Sequence, residues 1–191
     1  MKNINIKNNY KNLKKILFFR KDINIMLIGM PGTGKSTVGK VLSEKLNKKI
    51  IESDELIEKK YNMKLPEIIK KYGNEKFKID EENIITESLT NNTNTIISPG
   101  GSVIYCKNLF DIIKNKEYFN KILVIYLETN FETICLRTEN FSNRGIIFDE
   151  NCNLYEFYKK RCELYDKYGD IKIDCNGKNL NEVVELINNL L

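Results

Sequence analysis

Apolar residues in this chain fall into two alternating kinds of segment, short continuous runs and longer stretches with helical spacing. The continuous runs predict five buried strands, at residues 23–28, 49–52, 95–98, 122–127 and 171–174. The helical spacing predicts helices at 38–46, 54–61, 66–72, 74–89, 109–113, 131–137, 154–168 and 183–187. Because the strands lack polar alternation and helices separate them, the pattern predicts an α/β fold with a parallel sheet covered on both faces.

The most informative motif, G-M-P-G-T-G-K-S-T at 29–37, lies between the first strand and the first helix. Such a loop is a P-loop, whose glycines let backbone N–H groups face a polyphosphate at the positive end of the new helix. Lys35 is placed to reach the outer phosphates, and the Ser36 hydroxyl can ligate magnesium. The sequence therefore predicts that the protein binds a nucleoside triphosphate.

Two carboxylates follow the second strand, where ligands lie in open parallel sheets. Glu52 and Asp54 are two residues apart, so one can reach the magnesium shell and the other an acceptor hydroxyl. The chain has no histidine, which makes Asp54 the candidate to orient or deprotonate that hydroxyl. A plain helix cap remains the alternative for Asp54. Gly100 and Gly101, after the third strand, would let backbone approach the acceptor, although a simple turn also explains them.

Charge is distributed unevenly along the chain. The net charge is +5, but residues 1–21 contribute +7, so the remainder carries −2 and offers no basic surface for nucleic acid. The basic head is predicted to be a partly ordered extension; a transit sequence and a short docked helix are the alternatives. No apolar run is long enough to span a membrane, and five cysteines without C-x-x-C spacing fit a reduced, cytoplasmic compartment. We expect a monomer that acts on a small molecule.

Arginine is rare in this chain, with 27 lysines against 4 arginines. Three of the four, Arg137, Arg144 and Arg161, fall within 25 residues of one another. Because arginine differs from lysine in its planar fork for phosphate and carboxylate, this cluster indicates anion recognition. Arg144 lies in the polar stretch 138–153, which we interpret as a lid that closes over the phosphates and excludes water.

The sequence excludes two classes of P-loop protein, the GTPases and the AAA-type motors. A GTPase requires N-K-x-D, but Asn115–Tyr118 reads N-K-E-Y. An AAA-type motor requires paired acids after a hydrophobic strand and a longer chain, whereas strand 122–127 is followed by the single Glu128. A small-molecule phosphotransferase fits better, because its task is positioning and charge stabilisation.

The ordered set of motifs resembles the shikimate kinase family. Its pieces are the P-loop, E-S-D at 52–54, F-K at 77–78, P-G-G at 99–101, R-T-x5-R at 137–144 and R-x3-Y at 161–165. The resemblance implies a nucleoside-monophosphate-kinase-like P-loop fold with three layers, five parallel strands and a short lid. It further implies transfer of the γ-phosphate of ATP, with Mg²⁺, to the 3-hydroxyl of shikimate.

Site residues carry over from the family by position. The resemblance assigns the phosphates to Gly32, Thr33, Gly34, Lys35, Ser36 and Thr37, and magnesium to Ser36, with Glu52 as the candidate second ligand. It assigns the acceptor to Asp54, Lys78, Gly100, Gly101 and Arg161, with Arg161 on the acceptor carboxylate. Arg137 is expected against the adenine and Arg144 in the lid; Lys35, Asp54 and Arg144 are the expected catalytic residues.

The chain departs from the family pattern at five points. Glu52 replaces an aspartate, Pro99 a glycine and Lys78 an arginine that clamps the acceptor carboxylate. Gly145 follows Arg144 where proline is usual, and Gly177, with Lys178 beside it, stands where the family has a basic residue on the adenine side. Two other functions therefore remain open: a P-loop kinase of another small hydroxylated acid or a nucleoside, and a nucleotide-binding relative without catalysis. The expected organisation is an extension at 1–22 and a kinase domain at 23–191, with acceptor-binding helices at about 54–90 and a lid at about 138–153.

Overall fold

The computed structural model describes residues 22–115, 121–138 and 153–191, together with the backbone of residues 4–6. The strands are β1 (Ile4–Ile6), β2 (Asn24–Ile28), β3 (Lys49–Glu52), β4 (Thr95–Ser98), β5 (Ile122–Glu128) and β6 (Ile171–Asp174). The helices are α1 (Lys35–Leu46), α2 (Ser53–Tyr61), α3 (Leu65–Asn91), α4 (Lys107–Lys114), α5 (Phe131–Arg137), α6 (Leu154–Tyr168) and α7 (Leu180–Asn188). A short 3-10 turn covers Val103–Tyr105.

The strands form one sheet in the order β1-β6-β5-β2-β4-β3. The pairs among β2 to β6 are all parallel, which confirms the predicted five-stranded parallel sheet. β1 was not predicted: it pairs antiparallel with β6, with Ile4 opposite Ile173 and Ile6 opposite Ile171. A three-residue strand from the basic head thus covers the sheet edge at β6, where backbone hydrogen-bonding groups would otherwise be unpaired.

Alternate residues of the central strand β2 point into two hydrophobic layers, one on each face of the sheet. In β2, Ile25 and Leu27 face α1 and α7, whereas Met26 and Ile28 face the layer that holds α3, α4 and α6. All four of these side chains are fully buried. Burial on both faces explains why the strands read as continuous apolar runs, and it confirms the predicted arrangement of helices on both faces.

α3 is the longest helix, and its backbone is interrupted at Gly73. The two helices predicted at 66–72 and 74–89 are confirmed within Leu65–Asn91, where a kink at Gly73, with its non-helical angles (φ 81°, ψ 165°), separates them. A small apolar cluster of Ile57, Leu65, Ile68 and Phe77 joins the first part of α3 to α2. Within the described ranges no helix combines the length and apolar character needed to cross a bilayer.

Three segments with predicted functional residues lie together at the carboxyl ends of the parallel strands. The P-loop follows β2, Asp54 follows β3, and Gly100 and Gly101 follow β4. β2 pairs with β4 and β4 with β3, with Glu52 directly opposite Ser98. Because the carboxyl ends of parallel strands lie at the same edge, the sheet itself places these segments side by side.

We predict that Leu42→Ala lowers the free energy of unfolding by about 2–5 kcal/mol, because it leaves a cavity under α1. Leu42 is fully buried between α1 and the sheet. The matched control is Leu136→Ala, since Leu136 is 77% exposed and the change should stay within about 0.5 kcal/mol. Urea unfolding followed by circular dichroism measures both; equal losses in the two variants would contradict this description of the core.

Candidate active site

A cavity of about 510 Å³ lies at the carboxyl ends of β2, β3 and β4. Most of the predicted site residues line it: Gly32, Gly34, Lys35, Ser36, Thr37, Glu52, Asp54, Gly100, Gly101, Arg137 and Arg161. Thr33 and Lys78 are described but do not line this cavity. Arg144 and residues 139–152 of the expected lid lie outside the described residues, so the lid stays a prediction.

The P-loop has the backbone of an anion-binding loop. Gly32 and Gly34 have φ angles of 84° and 92°, which side-chain-bearing residues rarely adopt. Gly34 is the N-cap of α1, which begins at Lys35. The first N–H groups of α1 therefore face the cavity with the positive end of the helix dipole, as a polyphosphate requires.

Lys35 is held against the loop that a polyphosphate would contact. Its Nζ donates to the carbonyl oxygens of Gly29 at 2.9 Å and Met30 at 3.2 Å, and the residue is only 8% exposed. Burial lowers the pKa of Lys35 to about 8, and the Asp54 carboxylate partly opposes this shift. Phosphate oxygens at this position would favour the charged ammonium and raise its pKa again.

Two oxygen-bearing side chains in the cavity suit a magnesium ion that is bound together with phosphates. Ser36 and Glu52 both line the cavity, and they offer a hydroxyl and a carboxylate. Glu52 forms an ion pair with Lys40 of α1, with 2.8 Å between Nζ and Oε1. No cluster of three or more His, Cys, Asp or Glu side chains that could hold a metal ion occurs among the described residues. Mg²⁺ typically has few protein ligands, because phosphates and water complete its shell, so this donor set suits it.

Asp54 lies in the first turn of α2 with its carboxylate buried. The N-cap of α2 is Glu52, so Asp54 does not have the alternative role of a helix cap. Burial raises the pKa of Asp54, and the nearby Lys35 ammonium opposes the rise. Among the described residues, Asp54 Oδ1 accepts no hydrogen bond. A buried acceptor without a donor is costly, and an alcohol in the cavity would satisfy it.

Gly100 explains why the loop after β4 can approach these acids. A Cβ atom at this position would lie 2.6 Å from Glu81 Oε1 and 2.9 Å from Asp54 Oδ1. Such distances are shorter than real Cβ contacts, so only glycine fits without displacing a carboxylate. Both carboxylates therefore lie against the same glycine, at the edge of the cavity.

Sequence reasoning missed Glu81, which is fully buried on α3. Ser102 Oγ donates to Glu81 Oε2 at 2.6 Å, while Oε1 has no hydrogen-bond partner in the described part of the chain. Burial raises the pKa of Glu81 to about 7, and the Asp54 charge adds to the effect. One signal could have found it: Glu81 is four residues after the buried Phe77, so an acid occupies the apolar face of the helix.

Arg161 lies in the middle of α6, and its side chain lines the cavity. It is 1% exposed, and its guanidinium lies 4.3 Å from the Phe157 ring centroid. A Cβ atom on Gly101 would lie 3.0 Å from its Nη1, so the guanidinium reaches the glycine loop. Tyr165, one turn further along α6, donates through its hydroxyl to the Gly101 carbonyl at 2.7 Å. The glycine loop and the buried guanidinium thus form one wall.

The two other cations predicted for the site, Arg137 and Lys78, differ in whether they line the cavity. Arg137, at the end of α5, lines the cavity and donates through Nη1 to the Gly32 carbonyl at 3.4 Å. Lys78 pairs instead with Glu75 on its own helix, with 2.8 Å between Nζ and Oε1, and its Nζ lies 5.8 Å from the Tyr105 ring centroid. Its expected contact with an acceptor therefore stays a prediction.

Together the groups suit the transfer of a phosphoryl group to an anionic alcohol. The P-loop and Lys35 can hold a polyphosphate, and the unsatisfied oxygens of Asp54 and Glu81 can accept from hydroxyl groups. Arg161 supplies a buried positive charge for an anionic substituent on the same molecule.

Comparison with known proteins identifies a family. A model of the family described as shikimate kinase matches residues 31–191. A shikimate kinase of Haemophilus influenzae is 34% identical over 175 residues, covering 87% of this chain and 93% of the relative. One from Sulfurihydrogenibium is 31% identical over 164 residues, covering 86% and 95%. A solved structure of the Acinetobacter baumannii shikimate kinase in complex with shikimate is similar with a TM-score of 0.78 and 29% identity, covering 92% of this chain and 96% of that one.

We predict that nucleotide binding is accompanied by proton uptake at pH 8.5. In the free protein Lys35 has a pKa near 8 and is mostly neutral at this pH, whereas bound phosphates would favour its charged form. The affinity for ADP should consequently fall as the pH rises above about 8. Isothermal titration calorimetry in buffers of different ionisation enthalpy measures the uptake.

The matched control is Lys107→Met, because Lys107 is an exposed lysine at the start of α4 and its replacement should leave the uptake unchanged. Lys35→Met should weaken binding and remove the uptake. An identical heat of binding in all buffers at pH 8.5 for the unmodified protein would contradict the role given to Lys35.

Proposed function

The chain belongs to the shikimate kinase family, and we propose that its cavity transfers the γ-phosphate of ATP to the 3-hydroxyl of shikimate. The observation that carries the proposal is the pair of buried carboxylate oxygens at Gly100, Asp54 Oδ1 and Glu81 Oε1. Both lack hydrogen-bond donors among the described residues. Asp54 lines the cavity that the P-loop lines, and Glu81 Oε1 lies directly behind Gly100, which lines it too. A polyhydroxylated acceptor would provide the missing donors.

Shikimate also carries a carboxylate, which matches the buried guanidinium of Arg161 at the glycine loop. Arg161 is buried there with its Nη1 close to Gly101, so a ring lying over the glycine loop would bring its carboxylate to the guanidinium. The ring would then present hydroxyl groups to Asp54. The family assignment and these two walls favour shikimate over a nucleoside, whose bases carry no carboxylate.

In the proposed reaction, Asp54 accepts a hydrogen bond from the 3-hydroxyl of shikimate and holds its oxygen in line with the γ-phosphorus. The new oxygen–phosphorus bond forms as the bond to the β-phosphate oxygen breaks, and the hydroxyl proton passes to Asp54. Lys35 and the N–H groups of the P-loop stabilise the charge on the phosphate oxygens. We expect Arg144 to contribute from the lid.

Magnesium is part of the proposal through Ser36 and Glu52. Ser36 and Glu52 would hold Mg²⁺, which would supply positive charge to offset the negative charge that develops on the phosphates. Glu52 would have to reach the metal from its ion pair with Lys40, directly or through water. We expect the adenine to stack on the guanidinium of Arg137, which donates a hydrogen bond to the P-loop carbonyl of Gly32.

A coupled assay of ADP release tests the proposed function. Purified protein with ATP and Mg²⁺ is supplied with shikimate, with other polyhydroxylated acids and with nucleosides. We expect ADP release to depend on shikimate and the phosphorylated product to be shikimate 3-phosphate by phosphorus NMR. Turnover of a different acceptor, with none of shikimate, would overturn the assignment.

We predict that Asp54→Asn lowers kcat for shikimate by about 10²-fold or more, because the amide cannot take the hydroxyl proton. The affinity for ATP should change by less than about threefold, since the substitution alters only the acceptor side. Asp111→Asn is the matched control, because Asp111 is exposed on α4. Unchanged turnover in Asp54→Asn would remove this carboxylate from the mechanism.

A further inference from the structure

One aromatic ring lies beside both of the cations predicted to meet the acceptor carboxylate. The Tyr105 ring centroid is 5.3 Å from the Arg161 guanidinium carbon and 5.8 Å from Lys78 Nζ. The Tyr105 hydroxyl also accepts a hydrogen bond from Arg161 Nε at 3.4 Å. Tyr105 is 39% exposed, so part of its ring faces solvent.

The chain fixes Tyr105 close to the acceptor side of the cavity. It ends the 3-10 turn that follows Gly100 and Gly101, so its position is tied to the glycine loop. The next residue, Cys106, is buried and donates through Sγ to the Lys78 carbonyl at 3.9 Å. That contact joins the turn to α3 and brings Lys78 and Tyr105 together, although 27 residues separate them in the sequence.

Two like charges beside one binding site repel each other before a carboxylate arrives. The negative face of an aromatic ring attracts each cation and so favours keeping both nearby. Arg161 is held from the other side by Phe157, at 4.3 Å. Its Nε is occupied by the Tyr105 hydroxyl, while its Nη1 lies at Gly101, where the acceptor is expected.

We propose that Tyr105 is a positioning residue for carboxylate recognition. It orients the Arg161 fork through Nε and keeps the Lys78 ammonium on the same side, so that both cations can serve one carboxylate. The inference rests on the proposed function, because it concerns how the same acceptor is recognised. Lys78 also pairs with Glu75, which is 85% exposed, and release from this surface pair would let Nζ turn toward the acceptor.

The test compares Tyr105→Leu, which removes the ring, with Tyr105→Phe, which keeps it. Two acceptors are used: shikimate and its analogue in which hydrogen replaces the carboxylate. For Tyr105→Leu we expect the KM for shikimate to rise ~10-fold, with kcat and the KM for ATP changed by less than about threefold. The kcat/KM for the analogue should not change. Tyr105→Phe keeps the ring but loses the hydroxyl that accepts from Arg161 Nε, so its KM for shikimate should rise by an intermediate ~3-fold.

Tyr168→Leu is the matched control. The Tyr168 ring also lies near two lysines, Lys114 at 5.1 Å and Lys167 at 5.2 Å, but it packs on Phe110 at the end of α6 and does not line the cavity. Its replacement should leave both KM values unchanged. Circular dichroism melts of all variants report any loss of folding separately.

Two results would overturn the inference alone: an unchanged KM for shikimate in Tyr105→Leu, or an equal loss of kcat/KM for shikimate and for the analogue. The second result would mean that Tyr105 supports the fold of the site rather than carboxylate recognition. Failure of the unmodified protein to phosphorylate shikimate would instead overturn the proposed function and, with it, this inference.

Discussion

The site depends on the close approach of a glycine loop to charged side chains from three other elements. At Gly101, a Cβ atom would lie 2.7 Å from Pro31 of the P-loop and 3.0 Å from Arg161. At Gly100 it would collide with Glu81 and Asp54. Because both positions lack a side chain, the loop after β4 contacts the P-loop, α2, α3 and α6 at once. A side chain at Gly100 would displace Glu81 or Asp54, and one at Gly101 would displace Pro31 or Arg161, so the arrangement of the site requires both glycines.

Four charged side chains are brought together by that packing and are largely shielded from water. Lys35 and Arg161 are less than 10% exposed and Glu81 is fully buried, while burial also raises the pKa of Asp54. Each charge affects its neighbours: Asp54 raises the pKa of Lys35, and Arg161 and Lys35 lower that of Glu81. Buried charges are costly for folding, and this cluster lies where charged ligands would bind. This is the pattern expected of a site whose electrostatic partners arrive with the substrates.

The sequence predicted the sheet and most helices because continuous apolar runs and helical spacing are strong signals in a doubly covered sheet. It did not predict β1, since three residues in a basic head carry too little pattern. Glu81 was missed because it lies in the acidic run 80–82 of the helix, which resembles a solvent-exposed face until the buried face of the helix is known. Tyr105 was missed because its contacts with Arg161 and Lys78 are made only by the folded chain. The orientation of Lys78 also depends on its neighbour Glu75, which no motif specifies.

The most direct test is a crystal structure of the protein with shikimate and a non-hydrolysable ATP analogue. The account predicts that the shikimate ring lies over Gly100 and Gly101, with its 3-hydroxyl on Asp54 and in line with the γ-phosphorus, and with its carboxylate on Arg161. A ring bound in the opposite orientation, with its carboxylate beside Asp54, or an acceptor bound outside this cavity would contradict it.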